Sequence, residues 1–163
     1  MIDSSDLQKI KEVTGDFLQN MTITDVIIEV DLTAPEHQAT NQNIIDVVSV
    51  DIQLQEPQVL IGQNGQTLFD VQRLLKMIIN KKLGKIMYVE LDINNYKSKK
   101  VEYLKNLART SADQVALTRQ KEVLSPMPSY ERRLIHAELS GRTDVTTQSQ
   151  GEGESRHIVV SPQ

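Results

Sequence analysis

Residues 60–66 read Leu60-Ile61-Gly62-Gln63-Asn64-Gly65-Gln66, a Gly-x-x-Gly loop that stands directly before a long amphipathic helical pattern. Glycine has no side chain and reaches positive φ easily, so the main-chain N–H groups of such a loop can come close to a phosphate. The N-terminus of the helix behind the loop adds the positive end of its dipole. We therefore expect residues 62–65 to contact the backbone of a nucleic acid, although a plain surface turn before a helix has the same pattern.

The segments on either side of this loop predict an α+β fold. Apolar residues recur with a 3.6-residue period over residues 66–82, which predicts a helix, and a second helix is expected over residues 6–20 with Ser4 or Ser5 as its cap. Alternating apolar and polar residues predict three strands, at residues 22–32, 44–54 and 85–93. The polar residues 33–43 predict a long turn. This order of elements predicts a three-stranded sheet with helices on one face.

The second half of the chain predicts a smaller α/β domain. Asn94 and Asn95 mark the expected boundary, which gives one domain at residues 1–94 and another at residues 95–163. The second domain is expected to contain a helix over residues 98–124, a helix over residues 130–139 with Ser129 as its N-cap, a polar segment over residues 144–150 and a short strand over residues 156–160.

The composition predicts a soluble cytoplasmic protein without a cofactor. The chain has 163 residues, of which 39% are hydrophobic and 25% charged, and it contains no cysteine. Disulfide frameworks, cysteine-bound zinc and thiol catalysis are therefore excluded. Neither a secretory signal nor a membrane-spanning stretch is recognisable, so no direct membrane insertion is expected. With no Trp, two Phe and four Tyr, a broad aromatic platform for nucleic acid is not expected either.

The charge is distributed unevenly between the two halves. Residues 1–94 carry 7 Lys and Arg against 14 Asp and Glu, a net charge of −7. Residues 95–163 carry 11 against 8, a net charge of +3, and together they give the total of −4. This difference places the expected contact with a polyanion mainly in the second domain, although ordinary surface charge can produce the same asymmetry.

Two motifs resemble the bacterial Jag proteins, also called SpoIIIJ-associated or KhpB/EloR-type proteins. Residues 61–74, which contain the glycine loop, look like the type II K-homology (KH) domain of that family. Residues 127–136 look like its C-terminal domain, named R-three-H after an Arg-x-x-x-His motif, here Arg132 and His136. The closing segments 149–154 and 156–160 also resemble the end of the family. The pair of motifs, about 65–70 residues apart, is much more specific than either motif alone.

The resemblance implies an RNA-binding regulatory protein of the bacterial cytoplasm, linked to cell elongation, division and envelope synthesis. It implies single-stranded RNA or DNA as the ligand, and a small KH-domain protein or a second copy of the chain as a partner. Two departures stand out. The family loop commonly carries Lys or Arg between its glycines, where this chain has Gln63 and Asn64. The family also usually has an additional N-terminal domain and a charged linker, which this sequence does not show.

The expected nucleic-acid-binding residues are Gly62, Gln63, Asn64, Gly65, Arg73, Lys76, Arg132, Arg133 and His136. Arg132 and His136 are four residues apart and would share one helical face, where they could grip phosphate. The alternative is that they close their helix onto the C-terminal strand. Arg73 and Lys76 could line a groove beside the loop, or belong to a solvated helix face.

The sequence argues against catalysis and leaves a protein-interaction role open. The three histidines at positions 37, 136 and 157 lack metal-ligand spacing, and no nucleophile elbow or Walker loop occurs, so neither an enzyme nor a metal site is expected. A protein-interaction scaffold remains the alternative to an RNA-binding protein. In that case the first domain would dimerise or dock a partner, with weak or no RNA binding, and acidic residues near the groove such as Asp70 would favour it.

Overall fold

A computed structural model of the chain describes residues 2–33 and 46–163. These residues form two compact units, Met1–Lys97 and Ser98–Gln163. The expected turn at 33–43 and the first residues of the expected strand at 44–54 lie largely outside the described part of the chain. Within that part, no helix has both the length and the apolar character that a membrane crossing requires.

The first unit contains one three-stranded sheet and the helices that cover it. Its elements are α1 (Ser4–Asn20), β1 (Ile27–Thr33), β2 (Val47–Gln53), α2 (Gln58–Ile61), a 3-10 turn (Gln63–Gly65), α3 (Gln66–Leu83) and β3 (Tyr88–Ile93). The strand order is β1-β2-β3, with β1 antiparallel and β3 parallel to β2. Buried side chains of α1 and α3 share a core with one face of the sheet. The predicted α+β sheet with helices on one face is confirmed.

The start of α1 differs from the prediction. Asp3 is the N-cap, and its carboxylate accepts a 2.9 Å hydrogen bond from the N–H of Asp6. The carboxylate of Asp6 accepts in return from the N–H of Asp3 at 3.1 Å, which completes a capping box. The expected cap at Ser4 or Ser5 was wrong, because both serines already belong to the helix.

The open face of this sheet is acidic. Strand register places Glu29 beside Asp51, and Asp51 beside Asp92, in one row across the three strands. Asp31 and Glu90 flank Ser49 in the next row. Like charges this close raise the cost of bringing a polyanion to that surface. Much of the negative charge of the first half therefore lies on the sheet face opposite the helices.

The second unit packs two helices on a small antiparallel sheet. Its elements are α4 (Tyr96–Thr118, whose first two residues belong to the first unit), β4 (Glu122–Val123), α5 (Ser129–Leu139), β5 (Val145–Gln150), a 3-10 turn (Gly153–Ser155) and β6 (His157–Pro162). The strand order is β4-β6-β5. Leu104, Ala108 and Val115 of α4 form its core with Ile135 of α5 and Ile158 of β6.

The structure of this unit differs from the prediction in three places. The first helix ends at Thr118 and not at Leu124, because Arg119 adopts a left-handed conformation with φ of 58° and Glu122–Val123 then pair with β6. Pro128, not Ser129, is the N-cap of α5, and no side chain caps it. Residues 144–150 are not merely a polar segment: Val145–Gln150 form β5, which pairs along its full length with β6.

Candidate functional site

Contacts within the first unit require a glycine at the first position of the loop. Gly62 has φ of 69°, in the region that favours glycine. A Cβ at this position would stand 2.0 Å from Oγ1 of Thr67 and 2.7 Å from its Cβ. Since real Cβ atoms do not approach other atoms so closely, no side chain fits without moving Thr67.

The second glycine is also constrained from within the unit. Gly65 has φ of 81°, and a Cβ there would lie 2.9 Å from Cε1 of Tyr96. From the sequence, both glycines are expected to serve the approach of a phosphate. The structure gives each an intramolecular reason, Thr67 for Gly62 and Tyr96 for Gly65, so the motif by itself is weaker evidence for a ligand.

The loop nevertheless leaves polar groups accessible. Gln63 and Asn64 are exposed at its tip, and Asn64 adopts φ of 53°. Within the described residues, no side chain caps the N-terminus of α3. The first N–H groups of a helix need acceptors from water or a ligand when no cap supplies them. An anion could therefore bind here, but neither tip residue adds a positive charge.

Arg73 and Lys76 lie away from the loop. They follow the start of α3 by seven and ten residues, which corresponds to about 10 Å and 15 Å along the helix axis. Arg73 is exposed on the outward face of α3. The ammonium of Lys76 stands 4.7 Å from the ring centroid of Tyr88 on β3 and is held there by a cation–π contact.

Arg132 and His136 form one hydrogen-bonded cluster with β5. Nε of Arg132 donates to the carbonyl oxygen of Met127 at 3.2 Å, and its Nη1 donates to Oγ of Ser149 at 3.1 Å. Nε2 of His136 lies 3.0 Å from the same Oγ, and Nδ1 lies 2.7 Å from Oγ1 of Thr147. The spacing of four residues thus does place the two side chains on one face of α5, and that face is turned toward β5.

Arg132 keeps part of its donor capacity after these contacts. Its guanidinium has five N–H donors in a planar fork. Among the described residues, Nη2 has no hydrogen-bond partner. Met127 and Ser149 therefore fix the plane of the fork while leaving one edge for an anion. Arg133 is exposed on the neighbouring side of α5, without an ion pair in the described part of the chain.

His136 is held in its neutral form. Burial is the main cause that lowers the pKa of its imidazole below the usual 6.5, and the positive charge of Arg132 lowers it further. At neutral pH the cluster therefore carries one positive charge, on Arg132.

Most other basic side chains near α5 are neutralised by ion pairs. Lys100 lies 3.3 Å from Glu131, and Arg109 lies 2.6 Å from Glu138. Arg142 lies 2.5 Å from both Asp113 and Asp144, and it lowers the pKa of the Asp144 carboxyl to about 2. Arg132 and Arg133 are thus the basic groups of α5 left to meet a polyanion.

Two members of this site were missed from the sequence. The sequence predicts only a polar segment around Thr147 and Ser149, whereas β5 turns both hydroxyls toward His136. Only Val145 is apolar on the inward side of β5, so no alternation in the sequence reveals them. In the described residues, no group of three His, Asp or Glu side chains is placed to hold a metal ion.

The chain is similar to known proteins along most of its length. The family model for the R-three-H domain matches residues 102–162. The "RNA-binding protein KhpB" of Bacillus subtilis is 37% identical over 158 residues, which cover 95% of this chain and 73% of the relative. Proteins of the same name from Clostridium symbiosum and Lactiplantibacillus plantarum are 38% and 39% identical over 114 and 102 residues. Those matches cover 70% and 63% of this chain, but only 51% and 32% of the relatives. The chain therefore belongs to the KhpB family.

Proposed function

We propose that this chain binds single-stranded RNA and is not an enzyme. Backbone phosphate is bound in the second unit by Arg132 and Arg133, with His136 beside Arg132 in the same cluster, and single-stranded RNA is also bound over residues 62–65 of the first unit. The observation that carries the proposal is the guanidinium of Arg132, fixed by Met127 and Ser149 with one edge open. The name shared by the relatives, RNA-binding protein, supports RNA as the ligand.

The fixed guanidinium suits phosphate for two reasons. A planar fork matches the oxygens of a phosphate, and a charge-assisted hydrogen bond is about twice as strong as a neutral one. The side chain of Arg132 is already ordered, so binding costs little additional rotamer entropy. Arg133 adds a second, exposed positive charge one residue along α5.

The glycine loop is the weaker contact in this proposal. It offers main-chain N–H groups and the amides of Gln63 and Asn64, donors that carry no positive charge and so add no ion pair with a phosphate. The sheet face that the helices leave open carries Glu29, Asp51 and Asp92 in one row, and these negative charges repel RNA from the first unit. The second unit therefore supplies most of the affinity.

Fluorescence anisotropy with a randomised single-stranded RNA pool, at low and at physiological salt, tests this function. Arg132→Gln combined with His136→Gln should weaken binding at least tenfold and make it less dependent on salt, because phosphate contacts release counterions. Lys121→Gln is the matched control: it removes one positive charge next to β4, at the other edge of the sheet from β5. If the double variant binds as tightly as the control, Arg132 and His136 are not the site.

A protein-docking role for the first unit is the second candidate. Phe69, Leu74 and Met77 lie on the outward face of α3 with 62%, 51% and 62% of their surfaces exposed. These apolar side chains share the outward face of α3 with the exposed Asp70 and Arg73, and such a mixed surface suits a KH-domain partner or a second copy of the chain. Light scattering during size-exclusion chromatography tests self-association, with Met77→Glu expected to abolish any dimer. The link to cell elongation, division and envelope synthesis stays a prediction of the family resemblance.

A further inference from the structure

The hydroxyls of Thr147 and Ser149 contact both ring nitrogens of His136, and their hydrogens can be counted. A neutral imidazole has one N–H, and each hydroxyl has one O–H, which makes three hydrogens for two contacts. Each contact uses one hydrogen, so one hydroxyl hydrogen is left over. It belongs to Thr147 if Nδ1 carries the imidazole proton, and to Ser149 if Nε2 carries it.

The leftover hydrogen has no acceptor among the described residues. Arg132 does not supply one, because its Nη1 is itself a donor to Ser149. The same small region thus presents a spare hydroxyl hydrogen and the unused Nη2 of Arg132. Hydrogen-bond donors thus gather around Ser149 and His136, and no carboxylate of the described residues contacts His136. Such a group of donors suits the binding of an oxyanion.

We propose that Thr147 and Ser149 belong to the phosphate-binding site, as hydroxyl donors to the nonbridging oxygens of the phosphate that Arg132 binds: one of them donates while His136 is neutral, and both donate once it is protonated. The inference deepens the proposed function and rests on it. Ser149 has two roles, because it also positions the guanidinium of Arg132 and the ring of His136. The hydroxyl of Thr147 has His136 as its one side-chain partner among the described residues, so Thr147 is the additional binding residue in the stricter sense.

Protonation of His136 strengthens this site. An imidazolium donates from both nitrogens, so both hydroxyls become acceptors toward the ring and both of their hydrogens turn to the ligand. Among the described residues, the charged group that acts on His136 is Arg132 from α5, and its hydrogen-bond partners are the uncharged Thr147 and Ser149 from β5. A bound phosphate opposes the effect of Arg132, so RNA binding takes up a proton and becomes tighter as the pH falls from about 7 toward 5.

Hydroxyl removal at constant shape tests the proposal. At a pH of about 5, where both hydroxyl hydrogens turn to the ligand, Thr147→Val and Ser149→Ala should each weaken RNA binding roughly tenfold, the value expected for one lost hydrogen bond to a charged group. Neither variant removes a charge, so the dependence of affinity on salt should stay as in the unchanged protein, whereas Arg132→Gln reduces it. Thr147→Ser keeps the hydroxyl that Thr147→Val removes, so its affinity for RNA should stay close to that of the unchanged protein. Thr146→Val, on the exposed side of β5, is the matched control.

Thermal melts by circular dichroism show at which temperature all variants are folded, and affinities are compared there. If Arg132→Gln weakens binding but Thr147→Val and Ser149→Ala do not, the hydroxyls only hold α5 against β5, and this inference fails while the proposed function stands. If Thr147→Ser binds as poorly as Thr147→Val, packing and not the hydroxyl matters, and the inference fails again. If Arg132→Gln has no effect either, the proposed function itself is wrong.

Discussion

The ring of Tyr96 lies directly over Gly65, since a Cβ built on that glycine would stand 2.9 Å from Cε1 of the ring. Tyr96 also packs against the core of the first unit. The loop that could meet a nucleic acid is therefore part of the packing of the unit. Substitutions of its glycines change stability as well as any contact with a ligand.

Replacement of the loop glycines by alanine should destabilise the protein more than replacement of Gly84. Gly84 has φ of 65° and open space around it, so Gly84→Ala costs only the left-handed conformation, roughly 1–2 kcal/mol. Gly62→Ala and Gly65→Ala add clashes with Thr67 and Tyr96, about 1–3 kcal/mol more. Urea unfolding of the three variants measures the difference. Equal losses at the three positions would contradict the packing described for Thr67 and Tyr96.

A lysine at the loop tip should increase RNA affinity. Gln63 is exposed between the two glycines, and Gln63→Lys adds a charge without touching Gly62 or Gly65. If RNA passes over the loop, one new phosphate contact should steepen the dependence of log affinity on log salt by about 0.7 for a single strand. The control is Gln55→Lys, an exposed glutamine outside the loop and its helices. Equal effects of both lysines would mean that the gain is general electrostatic attraction and that RNA does not meet the loop.

The first sheet could be predicted from sequence because one face of each strand is buried. Val48, Val50 and Ile52 alternate with polar residues, so burial leaves a period of two in the sequence. β5 leaves no such signal, since Val145 is followed on the inward side by Thr147 and Ser149, whose partners are polar.

Part of the second unit could be predicted and part could not. The spacing of Arg132 and His136 was enough to place them on one helical face. Their hydroxyl partners come from a different element, and no local pattern joins the two segments. The end of α4 was hidden for a different reason: Arg119 takes a left-handed conformation without being Gly or Asn, the residues that commonly mark such an end.

Tyr130 should stack an RNA base beside the phosphate site. Its side chain is 59% exposed at the start of α5, three residues before Arg133 on the same helical side. Stacking of one base on an aromatic ring is worth about 1–3 kcal/mol, so Tyr130→Ala should weaken RNA binding about fivefold or more, and Tyr130→Phe should not. Tyr103→Ala is the matched control, because Tyr103 is as exposed but lies on α4 beneath the ammonium of Lys100. A similar loss for Tyr103→Ala would indicate a wider aromatic contact than the one proposed.

The stability of the protein should fall as the pH decreases through the range in which His136 titrates. Its folded-state pKa is lowered by burial and by Arg132, so the unfolded chain binds more protons at mildly acidic pH. The contribution of the neutral ring is fully present above the unfolded pKa of about 6.5 and is lost as the pH falls toward the lower folded value. His136→Gln removes this titration. The free energy of unfolding between pH 7.5 and 5, measured by urea denaturation, should therefore depend less on pH in the variant.

The control for His136 is His157→Gln, which removes a histidine whose ring contacts the carbonyl oxygen of Ser155 and not the Arg132 cluster. If His136→Gln and the unchanged protein lose stability in parallel as the pH falls, the ring is not held neutral by the fold. Excess RNA should reduce this loss of stability in the unchanged protein, because a bound phosphate favours the protonated ring that folding alone disfavours. The same histidine would then lower stability in acid when the site is empty and raise affinity in acid when RNA is present.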